Sequence, residues 1–221
     1  MENIKLKKQL TDQKIGKRNL FLYTKYTDFE NLNDYLNKIA EFLELGIEGI
    51  ELNGEGLSDS IFLDVAKITK QLCAEYNATF MIKSRADIAY LSSADCVNLE
   101  QDDLDISSVR EVIGGEILIG CYINSQNALA LVKDGADYIN LCQISSTPTE
   151  PVNKTGLEYA KWVSENTPFP VILVGNPNID YSSLSRIDVS IFALENSIFR
   201  YTSPNKVTVN LLKHLKKKSY L

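Results

Sequence analysis

The chain has 221 residues, of which 44% are hydrophobic and 24% charged, with a net charge of −6 and a single histidine. These proportions exclude a disordered chain, a collagen-like fibre and a coiled-coil rod, and they suit one globular domain, or two small ones, with a sizeable core. The acidic balance disfavours nucleic acid as a partner, and no apolar run approaches the ~18 residues of a membrane span.

Residues 1–18 are polar throughout and carry no apolar stretch of the secretory type. They read as an arm or helix ahead of a domain at 19–221. From there a short apolar, β-branched run is followed repeatedly by a longer amphipathic stretch. The runs are 20–24, 49–52, 79–82, 96–99, 117–121, 138–141, 170–174 and 189–192. Between the first two, 31–45 places Leu32, Tyr35, Leu36, Ile39, Phe42 and Leu43 on one helical face, and Gly46 follows as a stop. The segment 58–76 opens at a serine and repeats that spacing, and 125–134, 156–164 and 206–215 read the same way. Strands that alternate with helices imply a parallel sheet, and short runs without polar alternation imply strands covered on both faces. Eight such units predict an α/β fold, a (β/α)8 TIM barrel. The rival is an open doubly wound sheet, but the first strand–helix turn has no GxGxxG. The basic tail reads as a solvated helix C-terminus, which favours cations, and His214 as a residue on its surface.

The four cysteines, Cys73, Cys96, Cys121 and Cys142, form no CxxC pair. That excludes a zinc ribbon or thioredoxin-like motif and fits reduced thiols in the cytoplasm. Cys121 and Cys142 close strand runs and read as core thiols. With its one histidine in the tail, the barrel offers no Ser-His-Asp triad and no histidine-rich metal site.

In such a barrel the chemistry sits on the loops after the strands. Asp102 and Asp103 follow the fourth run and read either as Mg²⁺ ligands or as acids at a helix N-terminus. Lys83 and Arg85 follow the third and read either as an anion site or as a surface pair. The hydroxyl-rich 145–149 reads as a phosphate contact or an ordinary turn. Gly175, after the seventh run, permits close backbone approach to a ligand.

Four stretches in register carry a family resemblance. FMIKSRADIAYLSSADCVNLEQDDL (80–104) is similar to "IINDRxDLAxxxxADGVHLGQEDL", and IGCYIN (119–124) to "IGxSxH". GADYINLCQISSTPTEP (135–151) is similar to "GADYIGxGPIxPTxTK", and PVILVGNPN (170–178) to "PVVAIGGI". The chain resembles the thiamine phosphate synthases and the related thiazole tautomerases from about residue 20 to 199. The resemblance implies a cytoplasmic transferase of thiamine biosynthesis that joins an aminopyrimidine methyl pyrophosphate to a thiazole phosphate, with Mg²⁺ assisting departure of pyrophosphate. It implies small-molecule thiazole or pyrimidine phosphates as partners, and association into a homo-oligomer.

Carried over position by position, the resemblance implies a catalytic role for Arg85, a metal role for Asp103, and substrate contacts from Gln101, Thr147, Thr149 and Gly175. Lys83, Asn124 and Asn176 stand at site positions where the family has other residues, and they are candidates there for catalysis (Lys83) and substrate contact (Asn124, Asn176). The departures are as informative. The family's "QLREK" reads Glu51-Leu52-Asn53-Gly54-Glu55, so an Arg and a Lys are absent and a carboxylate has entered. The Asn and metal-binding Asp of "IND" read Lys83 and Ser84. The tautomerase His reads Asn124, which speaks against that activity. The Lys after "TxT" reads Glu150. With a less positive mouth and one metal carboxylate gone, the alternative to a synthase is a non-catalytic barrel that binds a small phosphorylated or thiazole-type ligand or a protein partner. Lys83 stands where an ammonium takes over part of the metal's charge.

Overall fold

A computed structural model describes residues 11–15, 19–123, 135–144, 154–177, 187, 189 and 191–216. The strands are β1 (Asn19–Lys25), β2 (Gly49–Asn53), β3 (Thr79–Lys83), β4 (Cys96–Leu99), β5 (Leu118–Ile123), β6 (Tyr138–Ile144), β7 (Val171–Gly175) and β8 (Ile191–Leu194). They close in sequence order, all parallel, with β8 paired back onto β1. The fold is the (β/α)8 barrel. Every strand run predicted from sequence is met within a few residues, with the eighth strand beginning at Ile191 rather than 189.

Local chemistry sets the helices α1 (Leu32–Glu44) and α2 (Asp59–Glu75). The Asn31 side chain accepts the Asp34 N–H at the start of α1, and the Ser58 side chain accepts the Ile61 N–H at the start of α2. α3 (Ala86–Leu91) and α4 (Ile106–Ile113) are one to two turns long, too short to declare themselves by periodicity. Asp105 caps α4, so neither Asp102 nor Asp103 holds that place. α5 (Lys154–Asn166) and α6 (Pro204–Lys216) follow, and residues 11–14 are helical too. The helix expected at 125–134 lies outside the described residues.

Two apolar layers result. Between sheet and helices lies the larger cluster, including Leu20, Leu22, Ile39, Phe42, Ile50 and Phe80. Inside the barrel lie Phe21, Tyr23, Met81, Cys96, Leu118, Tyr138, Ile172 and Ile191. Ile15 belongs to this inner cluster and is only 3% exposed. The Lys14 carbonyl accepts the Thr79 hydroxyl at 2.8 Å, and the Lys14 ammonium meets Asp95 at 2.6 Å. The segment ahead of β1 thus packs against the N-terminal ends of the strands.

A short internal echo organises the interior. Residues 94–99 read ADCVNL and 136–141 read ADYINL. Each aspartate ties a neighbouring strand to its own: Asp95 accepts the Phe80 N–H and Asp137 the Ile119 N–H, both at 2.8 Å. Each is paired with cations, Asp95 with Lys14 and Lys70, Asp137 with Arg110. Each asparagine, Asn98 and Asn140, is fully buried inside the barrel. Gly120 on β5 is required beside them, because a Cβ there would collide with the Tyr138 ring and the Asn98 amide oxygen.

Candidate functional site

The C-terminal ends of the strands open into a cavity of about 480 Å³, a volume ordinary for a small-ligand site. Its floor is a polar relay rather than the usual apolar filling. The Tyr23 hydroxyl donates to Asn140 Oδ1 at 2.6 Å, and Asn140 Nδ2 donates to Asn98 Oδ1 at 2.8 Å. Tyr138 also donates to Asn98 Oδ1. Asn98 Nδ2 donates to Glu51 Oε2 at 2.5 Å, and the Tyr122 hydroxyl reaches the same oxygen at 2.7 Å. All the donors run toward one carboxylate. Glu51, on β2, is 3% exposed.

Burial pushes the Glu51 carboxyl above its ordinary range, while the Tyr122 and Asn98 hydrogen bonds and the Lys83 charge pull the other way. Burial likewise raises Tyr23 and Tyr122, so both stay protonated phenols. The Cys142 thiol is pushed up to about 12 by burial and by Glu51. Cys121 is a buried core thiol as expected, whereas Cys142 is half-buried, packed on the inner cluster and lining the cavity. Its high pKa leaves it a poor nucleophile.

Lys83 ends β3 with its ammonium inside the mouth. It meets Glu100 at 2.7 Å and stands 5.4 Å from the centre of the Tyr122 ring. Burial works to lower its pKa, but the Glu100 bond and the Glu51 charge outweigh it and hold Lys83 above its usual value. It is a fixed cation. Arg85, two residues on, goes elsewhere. Ser84 takes φ 64, and the Arg85 N–H bonds the Lys83 carbonyl at 2.8 Å, a strained γ-turn that reverses the chain. Arg85 then pairs with Asp59 and Asp87, each at 2.6 Å, and is not among the residues that line the cavity.

Asp103 is half-buried; its Oδ2 accepts the Glu100 N–H at 2.7 Å, which ties the turn after β4 to itself. Gln101 is exposed in that turn. Gly175 ends β7, and its carbonyl accepts the Glu195 N–H at 3.3 Å. Asn176 is buried, and its Oδ1 accepts the Tyr201 hydroxyl at 2.6 Å. Asn124, Thr147 and Thr149 lie outside the described residues. Missed in the sequence were Glu51, as the end of the relay, with Asn98, Asn140 and the three tyrosines. The echo of ADCVNL in ADYINL was the available signal.

Mg²⁺ takes oxygen ligands and favours carboxylates. Asp103 supplies one, already engaged by a backbone N–H, and Ser84 supplies none at the second position. No group of three or more His, Cys, Asp and Glu suited to a metal occurs among the described residues. Among the described residues the carboxylate expected at the metal position is therefore Asp103 alone. The cations that line the cavity are instead Lys25, Lys83 and Arg200. Lys25 is bound by Glu55 at 2.9 Å.

The family model for thiamine monophosphate synthase matches residues 21–189. A thiamine-phosphate synthase from Synechocystis is 30% identical over 208 residues, covering 92% of this chain and 59% of its own length. One from Clostridioides difficile is 30% identical over 175 residues, covering 77% of this chain and 83% of its own. This chain spans little more than half the length of the cyanobacterial relatives it matches. Among solved structures, a thiamine phosphate pyrophosphorylase from Pyrococcus furiosus superposes with a TM-score of 0.77 at 23% identity, covering 93% of this chain and 98% of that one. No helix among the described residues is long and apolar enough to cross a membrane.

Proposed function

The chain belongs to the thiamine monophosphate synthase family, and from that premise we propose that its barrel mouth joins an aminopyrimidine methyl pyrophosphate to a thiazole phosphate, in the cytoplasm. The carbon–oxygen bond to pyrophosphate breaks, and the leaving group takes the electron pair. The thiazole nitrogen lone pair then closes the new carbon–nitrogen bond. Such a reaction asks little proton transfer of the protein. It asks for two rings held in place and a cation to meet the departing charge.

The observation that carries this reading is the Lys83 ammonium, held protonated in the mouth by Glu100 and Glu51. It supplies positive charge where the family resemblance expects a metal carboxylate nearby, with Arg200 and Lys25 farther out in the same lining. The test is a direct assay for thiamine phosphate from both substrates, with and without Mg²⁺, beside an intact synthase. Product that disappears in Lys83→Ala is the expected result. Absence of product above background refutes the reaction, and full activity in Lys83→Ala refutes the role of Lys83.

One observation favours a second reading, a barrel that binds such a ligand without turning it over. The loop after β2 has lost its cations and is closed on itself: the Asn53 side chain accepts the Glu55 N–H at 2.8 Å, and Glu55 occupies Lys25. Under that reading thiazole phosphate raises the melting temperature while the synthase assay stays silent.

A further inference from the structure

Lys25 and Lys83 line the cavity, and each is held by a carboxylate of the chain itself. Lys25, at the end of β1, pairs with Glu55 in the loop after β2 at 2.9 Å. Lys83, at the end of β3, pairs with Glu100 in the turn after β4 at 2.7 Å. The second pair is the inward one, since Lys83 and Glu100 both line the cavity and Glu55 does not. The similar family stretch has Asn and Gly at these two places, so a cation and an anion stand together here where that pattern has neither charge.

The two partners are not equally free to leave. The Lys83 ammonium faces the Tyr122 ring and the charge of the buried Glu51 as well as Glu100, and its side chain is 25% exposed. The Glu100 side chain is 51% exposed. Its backbone is fixed: the Glu100 N–H donates to Asp103 Oδ2 at 2.7 Å, and its carbonyl accepts the Asp103 N–H at 3.3 Å. Rotation of the Glu100 side chain about its own bonds therefore opens the pair. It carries the carboxylate into water and leaves the ammonium in place, with no movement of the strand ends. A tethered anion of this kind competes at an effective concentration on the order of millimolar or above. A ligand that needs Lys83 finds it only in the fraction of molecules in which Glu100 has turned away, and its apparent affinity is lowered by that fraction.

We propose that Glu100 is a specificity-determining residue, a tethered counter-ion that a ligand's phosphate or diphosphate group must displace from Lys83 in order to bind. The inference rests on the reading of the mouth as the ligand site. It adds a threshold for anions. A singly charged group gains little by exchanging with Glu100, one anion for another. A diphosphate succeeds, because it brings charge-assisted hydrogen bonds to Lys83 and further charge toward Lys25 and Arg200 in the same lining.

Inorganic pyrophosphate and inorganic phosphate are the probes, titrated by calorimetry into the full chain at low salt and about pH 8, where carboxylates and lysines are both charged. The expected result is that Glu100→Gln binds pyrophosphate about tenfold more tightly than the parent, with phosphate gaining in the same direction. Glu195→Gln controls for the loss of one negative charge. Glu195 lines the same cavity but accepts the Ser197 hydroxyl at 3.0 Å and makes no ion pair among the described residues. Its gain should be about threefold at most. Lys83→Gln added to Glu100→Gln removes the gain. Equal gains in Glu100→Gln and Glu195→Gln, no gain in Glu100→Gln, a gain that survives Lys83→Gln, or no pyrophosphate binding in either parent or variant overturns the proposal. If Glu100→Gln fails to fold, Glu100→Ala gives the same comparison. A silent synthase assay beside tighter binding in Glu100→Gln removes only the reaction, and turnover without that gain removes only the role of Glu100.

Discussion

Asn98→Leu tests whether the interior relay is a structural unit. Asn98 is fully buried and takes part in four side-chain hydrogen bonds, accepting from Tyr138 and Asn140 and donating to Glu51 and, weakly, to the Met81 sulfur at 3.7 Å. Leucine keeps the branching, removes the polar atoms and leaves no room for water. The Tyr138 hydroxyl then keeps only weak sulfur partners, Met81 at 3.7 Å and Cys96. The Asn140 amide loses its acceptor, and Glu51 keeps one donor of two, Tyr122. Stranding a buried neutral group costs about 1–3 kcal/mol, and weakening a charged one about 1.5–3 kcal/mol. Added leucine burial returns about 1–2 kcal/mol. The sum, reduced for shared partners, is a loss of about 3–5 kcal/mol, or roughly 10–15 °C in melting temperature for a chain of this size. Urea unfolding read by circular dichroism gives the free energy, and a cycle with Glu51→Gln gives the coupling, expected at about 1 kcal/mol or more. A loss below about 1 kcal/mol would mean that these hydrogen bonds do not hold the interior together.

Three further outcomes follow from the charges. The folded pKa of Glu51 lies above its unfolded value, so the ionised form is a cost that appears as pH rises through the folded pKa and vanishes below the unfolded value near ~4.3. Glu51→Gln should therefore be more stable than the parent at about pH 8, with the gap closing toward about pH 4; a gap that is flat with pH in thermal melts refutes this. Asp95 is opposite in sign: burial works to raise its pKa, but Lys14, Lys70 and the Phe80 N–H outweigh it and hold it low. Asp95→Asn should cost about 3–5 kcal/mol at neutral pH, measured by denaturant titration, with the deficit shrinking as pH falls below ~3.9. Arg85→Ala removes only solvent-exposed pairs with Asp59 and Asp87, so its cost should stay below about 1 kcal/mol, and a larger one contradicts the assignment of Arg85 to the surface.

The strands were legible because each is a short apolar run bounded by loops, and α1 and α2 because an Asn and a Ser cap long amphipathic stretches. α3 and α4 were not, since six or eight residues give periodicity too little length. Lys83 ends β3 and lines the cavity, so its place could be read from the strand pattern. The divergence of Arg85 was hidden, because it depends on one positive φ at Ser84, a residue type that gives little warning of it. The relay was hidden for a different reason. A lone Glu, Asn or Tyr within an apolar run looks like an interruption, and only closure of the barrel brings residues 23, 51, 98, 122 and 140 together.

The two ends of the barrel answer to different constraints. At the N-terminal ends, Asp95 and Asp137 each bind a neighbouring strand's N–H and a cation, and Ile15 fills the space between. These contacts depend on the fold alone and are indifferent to what binds above, as the lower face of such barrels generally is. At the C-terminal ends the side chains are free of that duty. Lys83 can stand beside Ser84, and Glu51 can enter, without disturbing a strand ladder. A 0.77 TM-score at 23% identity is the outcome of that division. The ligand chemistry of this chain is therefore written in the few residues around Glu51 and Lys83, where the fold imposes least and charge decides most.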